Sequence, residues 1–342
     1  MTGPAIVTRR AFAVGAAASL LAGGAGARAQ SPASANVPLT VITPFGFQID
    51  FVDFMYAHSA GCYRAQGFNS TVIGGTGSAS AIQQTLAGRA KFTRIAGIDL
   101  LNAVGRQDVP LVCIGTLYQG STFHVISLRS RPIANAAELR GKRIGVVSVG
   151  GATENFLDMM LAREGIPKDQ VPRETVGNSA GAVALIQQGR IDGFIASINV
   201  VAALRFANEP VEIWSTDRYA PMPSQVWVTT REVIEREPDT VLRWLRAMKA
   251  AVDDLTTKPF AEIIATVSRD FEVPGIRNRD QLAATYNAAK DLWFTAGREN
   301  LLRNVPEAWR AGARALAEAG IVNVPNVDNY YTNRFIDQVL RG

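Results

Sequence analysis

Short apolar runs alternate along this chain with segments whose apolar positions recur every three to four residues, from Val37 to about Thr229. The runs predict strands at 37–42, 70–73, 91–96 and 109–115. The recurring positions predict helices at 51–65, which bears Phe54, Met55 and Tyr56, and at 99–104. Gly67-Phe68-Asn69 breaks the pattern between the first helix and the second strand. The order βαβαβ predicts a parallel sheet covered on both faces. A second unit of the same kind starts at 123–127. It continues through a strand at 144–147, a helix bearing Phe156, Leu157, Met160 and Leu161, and strands at 191–197 and 211–214. A strand-like run, Gln225-Val226-Trp227-Val228, then returns the chain to the first unit. Beyond Arg231 the pattern is helical, with Val241, Leu242, Leu245, Met248 and Val252 on one stripe and Trp293, Phe294, Trp309 and Leu316 on later ones. Aromatics at helical spacing are expected to pack.

The two units echo each other. Ser78, Ala79, Ala81, Gly88 and Arg89 recur 101 residues later as Ser179, Ala180, Ala182, Gly189 and Arg190. Each copy runs from a small polar cluster through a short helix to Gly-Arg and a strand. Ser before a helical pattern is an N-cap candidate, and a helix start presents unpaired N–H groups carrying partial positive charge. Two such units in separate lobes could face one ligand across a cleft. Ser148-Val149-Gly150-Gly151-Ala152-Thr153, opening the 152–161 helix, resembles an anion cradle in outline, although neither the GxxxxGK[ST] nor the GxGxxG spacing is present.

Composition narrows the function. Thr8-Arg9-Arg10-Ala11-Phe12, an apolar stretch and Ala27-Arg28-Ala29 before Gln30 read as a twin-arginine export signal over 1–29, with cleavage near Ala29/Gln30 and a periplasmic destination. The full chain carries a net charge of +5. Without 1–29 it loses Arg9, Arg10 and Arg28 and no acid, leaving +2. The scattered basic residues offer no nucleic-acid surface. Two Cys, Cys62 and Cys113, and two His, His58 and His124, form no cluster with metal-ligand spacing, so neither metal nor cofactor is expected. The cysteines read as buried hydrophobes, with pairing left open. No Ser-His-Asp arrangement has local support, and no catalytic residue is assigned.

With "LAGRAKF", "LRGKRIGVVSVGGAT" and "LIQQGRIDGFIAS", and an early strand ending in Pro-Phe-Gly, residues 37–230 resemble the solute-binding proteins of ABC importers, of the sulfonate, taurine, nitrate and thiamine-precursor group. The resemblance implies an α/β, two-lobed periplasmic binding protein fold of the second structural type, each lobe a mainly parallel sheet flanked by helices, with two hinge crossings. The first lobe would be 37–122 with 222–342, and the second 123–221. The ligand contacts it implies are Phe45, Phe47, Gly77, Ser78 and Gly97 in the first lobe. In the second they are Ser148, Gly151, Thr153, Ser179, Ser197 and Asn199, with Tyr118 and Gln225 at the crossings. It also implies a monomer that delivers its ligand to an inner-membrane permease and its ATPase.

Two departures qualify the resemblance. Lys91-Phe92-Thr93-Arg94-Ile95 places a guanidinium in a strand expected to be buried, where it would be costly unpaired. Arg94 is therefore either a clamp for a carboxylate or sulfonate ligand or the partner of Asp53 or Asp99. The pyrimidine-synthesising relatives carry a cysteine-rich motif and a reacting histidine, for which His58 and His124 offer no equivalent context. The expected ligand is a small organic anion, a sulfonate or an aromatic carboxylate, its body enclosed by Phe45, Phe47, Tyr118 and Phe123. The alternatives are a pyrimidine or thiamine-precursor binder, or a related pyrimidine-synthesis enzyme, and a ligand-sensing receptor partner. A regulator's ligand domain would need a helix-turn-helix where the export signal stands.

Overall fold

A computed structural model describes residues 36–341 of the chain; the export signal expected over 1–29 lies outside the described residues. In the first segment, β1 (Val37–Thr43), α1 (Val52–Ser59), α2 (Cys62–Ala65), β2 (Phe68–Gly74), α3 (Ser78–Leu86), β3 (Phe92–Ala96), α4 (Gly97–Gln107) and β4 (Leu111–Tyr118) follow one another. The second segment holds β5 (Phe123–Leu128), β6 (Ile144–Val146), α5 (Ala152–Arg163), β7 (Arg173–Thr175), α6 (Val183–Gln187), β8 (Gly193–Ser197), α7 (Ile198–Phe206) and β9 (Val211–Ser215). The chain then forms β10 (Gln225–Thr230) and the helices α8 (Arg231–Arg236), α9 (Pro238–Thr257), α10 (Phe260–Val267), α11 (Arg279–Asp291), α12 (Pro306–Glu318) and α13 (Ile336–Arg341).

These strands build two five-stranded sheets, ordered β2-β1-β3-β10-β4 and β7-β6-β8-β5-β9. Position by position the two orders match, and the strands that follow the two echo segments, β3 and β8, both take the central place. The echo thus has a structural basis. Gly88 and Gly189 have φ of 70° and 72°. At each, the glycine N–H returns to a carbonyl three residues back and the following arginine N–H to one five back, closing the helix in the left-handed geometry that glycine adopts without strain.

Neither sheet is purely parallel. β10 runs antiparallel to β3 and β4, and β5 antiparallel to β8 and β9. The alternation read from the sequence missed this because each antiparallel strand enters its sheet directly from a crossing, where no helix precedes it. The helix expected over 51–65 is also two helices, separated at Gly61, whose φ of 77° ends α1.

The crossings, residues 119–122 and 216–224, are bonded to each other. Asp217 Oδ2 accepts from the Ser121 N–H at 2.7 Å, Ser224 Oγ accepts from the Thr122 N–H at 3.0 Å, and the Ser121 and Thr216 hydroxyls meet at 2.8 Å. They join the end of β4 to the start of β5 and the end of β9 to the start of β10. The strand ends that carry Gln225, Ala96 and Tyr118 in one sheet therefore face those that carry Phe123 and Ser197 in the other.

Helix α9 starts on Pro238, which needs no N–H partner there. It buries Val241, Trp244, Leu245, Met248 and Val252 and packs beside α1, α2 and α13, while Leu242 of the expected stripe is half-buried. Trp244 stacks on Phe92 with ring centroids 4.3 Å apart and meets Trp227 edge-on. Further along, α11 lies against α7 and α12 against α5, so the C-terminal helices brace the second lobe as well as the first.

Candidate functional site

The loops at the facing strand ends make the candidate site. In the first lobe, the turn after β1 and the turn before α3 are zipped together. Gly77 N–H donates to Pro44 O at 2.6 Å, Gly75 N–H to Thr43 O at 2.7 Å, and Gly46 N–H to Gly75 O at 3.0 Å. The zipper leaves the Phe45 ring 50% exposed, against Phe51. Phe47 leans instead on Phe271, ring centroids 5.0 Å apart, and lines a groove of about 740 Å³ with the loop 270–277. Gly97 donates its N–H to Ser224 O at 2.8 Å, and a Cβ there would lie 2.2 Å from the Pro223 carbonyl oxygen. Its position requires glycine because the second crossing passes directly over it. Ser78 opens α3, and its side chain partly offsets the burial that lifts the Asp99 carboxyl to about 6.

Arg94 is fully buried; both of its terminal nitrogens have protein partners, while its buried Nε has none. Its Nη1 donates to Asp53 Oδ1 at 2.9 Å, its Nη2 donates to the Asp50 carbonyl, and its guanidinium lies 4.3 Å from the Phe51 ring centroid and 5.0 Å from that of Tyr118. Trp227 Nε1 donates to the other oxygen of Asp53 at 2.9 Å. Of the internal partners read from the sequence, the geometry shows Asp53 and not Asp99, and the guanidinium lies in the box formed by Phe51 and Tyr118.

Tyr118 Oη also donates to the Asp50 carbonyl, at 3.0 Å. Burial raises the Asp50 carboxyl above its ordinary value, with Arg94 and the Asn199 side chain pulling the other way. Asn199, from the first turn of α7 in the second lobe, donates through Nδ2 to Gln48 Oε1 at 3.4 Å. The lobes therefore touch through side chains on both sides of the junction. Oδ1 of Asp50, Oδ1 of Asn199 and Oε1 of Gln225 are buried without a hydrogen-bond partner. Beside Gln48 and Asn199 lies a cavity of about 250 Å³, closed on its far side by Pro274, Gly275 and the first turns of α11.

The second lobe's loops are largely self-satisfied. Thr153 is buried, and its hydroxyl accepts from the Val147 N–H at 2.9 Å. The Gly150 N–H donates to Glu154 at 2.5 Å. A carboxylate in the first turn of α5 therefore occupies the anion cradle expected around Ser148, Gly151 and Thr153, leaving Ser148 exposed at its edge. Ser179 caps its own turn, accepting from Gly181 N–H at 3.2 Å. Ser197 and Asn178 exchange two hydrogen bonds, of 2.8 and 3.1 Å.

Of the residues expected from the sequence, the structure brings Arg94, Tyr118 and Asn199 around one point, Asp50. It places Phe47 in a neighbouring groove, and Ser148, Gly151 and Ser179 have no contact with that point. Asp50 and Gln48 were missed. Their signal is positional, a polar pair directly after the first strand, where ligand contacts collect in open α/β sheets.

Comparison with known proteins follows the same lines. The chain is 23% identical over 298 residues, 82% of each chain, to the 4-amino-5-hydroxymethyl-2-methylpyrimidine phosphate synthase of Schizosaccharomyces pombe. Among solved structures it is similar to the alkanesulfonate-binding protein SsuA from Xanthomonas axonopodis pv. citri bound to MOPS, with a TM-score of 0.65 and 14% identity over 87% of this chain and 99% of that one. It is also similar to the periplasmic nitrate-binding protein NrtA from Synechocystis PCC 6803, with a TM-score of 0.62 and 13% identity over 90% of this chain and 89% of that one. These likenesses show the two-lobed α/β fold of type II periplasmic binding proteins. The model of the family described as NMT1/THI5 like matches residues 48–262, more than half of the chain, and this protein belongs to that family.

Proposed function

We propose that this chain is the periplasmic solute-binding component of an ABC importer, which closes its two lobes on a small molecule and hands it unaltered to a membrane permease and its ATPase. The observation that carries the reading is the junction itself: two bonded crossings, a side-chain contact between the lobes from Gln48 to Asn199, and a cavity walled by both of those residues, where Asn199 Oδ1 is buried without a partner. Export through a twin-arginine signal and action as a monomer complete it.

The groups at hand favour holding over reacting. Burial pushes the Cys113 thiol up to about 12 and raises that of Cys62, so both stay protonated, whereas the thiolate is the nucleophile. Burial holds His124 at about 4, neutral in ordinary buffers. For the solute, an organic anion was expected; Arg94 pairs with Asp53 and keeps one buried N–H, at Nε, without a partner, and Glu154 accepts from the Gly150 N–H at the α5 N-terminus. The second reading, a ligand of the pyrimidine or thiamine-precursor kind, is favoured by the unpaired acceptors, which suit ring N–H and amino donors. The S. pombe relative is named for pyrimidine chemistry, which makes the enzyme the rival to test.

The test is equilibrium dialysis of residues 30–342 against aminopyrimidines, sulfonates and aromatic carboxylates, followed by mass analysis of the recovered ligand. One class retained at one molecule per chain and recovered unchanged supports capture. Steady conversion of a pyrimidine by the protein alone contradicts it.

A further inference from the structure

Pro274 and Gly275 belong to two spaces at once. They line the cavity of about 250 Å³ beside Gln48 and Asn199, and they line the groove of about 740 Å³ beside Phe47. The rest of the cavity wall is tied down. Gln48 and Asn199 meet across the junction, and α11, which contributes Gln281 and Thr285, is fixed to both lobes. Its buried Tyr286 donates to the Leu255 carbonyl and packs on Phe260 with ring centroids 5.2 Å apart, while the helix lies against α7. The stretch 272–277 has no such ties. Among the described residues its hydrogen bonds are local, from Ile276 N–H to Val273 O at 3.2 Å and from Asn278 N–H to Gly275 O at 2.9 Å. Gly275 has a φ of 82°, and a Cβ there would meet nothing closer than 3.8 Å, which is the backbone freedom and the room that a turning point needs. Two apolar side chains hold the stretch down: Phe271 lies 5.0 Å from the Phe47 ring and 5.6 Å from that of His58, and Val273 is buried. A segment with few buried contacts and no long-range hydrogen bonds opens at lower free energy than the elements around it.

We propose that residues 270–278 form a gate to the cavity, latched by Phe271 and Val273 and turning at Gly275, which opens toward the groove while the lobes stay in contact. The proposal rests on the solute-binding reading for what passes through. Parting the lobes breaks the contact from Gln48 to Asn199 and pulls α7 from α11, whereas lifting the gate unseats two side chains. Closure of the lobes therefore positions the solute, and the gate sets how fast a molecule held between them exchanges with solvent.

The experiment needs no ligand. In residues 30–342 carrying Cys62→Ser, Thr285→Cys puts a thiol in the cavity wall, and its labelling by methyl methanethiosulfonate is followed by mass spectrometry. The remaining native thiol, Cys113, is fully buried and pushed up to about 12, so it reacts far more slowly. Labelling is compared well below the thermal midpoint of each variant, so that global unfolding does not contribute. Phe271→Ala and Val273→Ala are each expected to speed labelling about fivefold or more with the radius of gyration unchanged. Phe271→Leu, which keeps an apolar latch, should label close to the parent rate. Unchanged labelling in both alanine variants overturns the gate, and so does acceleration that comes with a larger radius of gyration. Acceleration by Asn199→Ala alone assigns access to parting of the lobes, which overturns the gate and leaves the solute-binding reading standing. That reading falls only by the dialysis experiment, so the two failures are distinguishable.

Discussion

Arg94 and Asp53 form an ion pair of 2.9 Å with side chains 1% and 0% exposed, joining the central strand β3 to helix α1 across the floor of the lobe junction. Removing one member of such a pair strands the other's charge in the interior. Arg94→Met is expected to lower stability by about 3 to 5 kcal/mol. The double variant Arg94→Met with Asp53→Leu should recover most of that loss. Urea unfolding of the three proteins checks both statements, and a single variant as stable as the parent would show that the pair contributes little.

Gly97 sits under the second crossing, with Pro223 O only 2.2 Å from where a Cβ would be. Gly97→Ala must push the crossing away or break the bond from Gly97 N–H to Ser224 O. A loss of about 2 kcal/mol is expected, in the range of overpacked cores. Gly88→Ala, in open space but at φ 70°, should cost about 1 kcal/mol through backbone strain alone. Thermal unfolding of both variants should rank them in that order.

Two buried titrating groups oppose each other in mild acid. His124 is held at about 4, against about 6.5 when unfolded, by burial with the Arg205 charge adding to it. The unfolded chain takes up this proton first, so its contribution to stability is complete above pH 6.5 and is lost as pH falls toward 4. Asp99 is lifted to about 6 by burial, partly offset by the Ser78 side chain. Its contribution is complete below about pH 3.8 and is lost as pH rises through 6. Between pH 7 and 4.5 the two largely cancel. Asp99→Asn should therefore lose about 2 kcal/mol on acidification over that interval, and His124→Gln should gain about as much. Denaturant titrations of both variants at pH 7 and 4.5 check the signs, and parallel curves for the two would refute the assignment.

The sequence carried the architecture further than the site. The 101-residue echo was legible because its glycines end equivalent helices and its strands take equivalent central places. The resemblance to solute-binding proteins reached the fold for the same reason: spacing and turn chemistry are local properties. Partnership is not. Asp53 and Asp99 were equal candidates for Arg94 until the packing of α1 beneath β3 chose between them. The small-residue loop before α5 read as an anion cradle because residue types do not reveal that Glu154, one turn into the helix, returns to the Gly150 N–H. Asp50 was passed over because its importance comes from Arg94, Tyr118 and Asn199, which are 44, 68 and 149 residues away in the chain and converge only when the lobes meet.

Closure of the lobes on a captured molecule is most directly tested by small-angle X-ray scattering of residues 30–342, with and without saturating cytosine. Solute capture predicts that cytosine reduces the radius of gyration of the parent protein, while Asn199→Ala, which loses the side-chain contact from Gln48 to the second lobe, shows no such reduction at the same concentration. A parent protein whose scattering is unchanged by bound cytosine would contradict capture by closure.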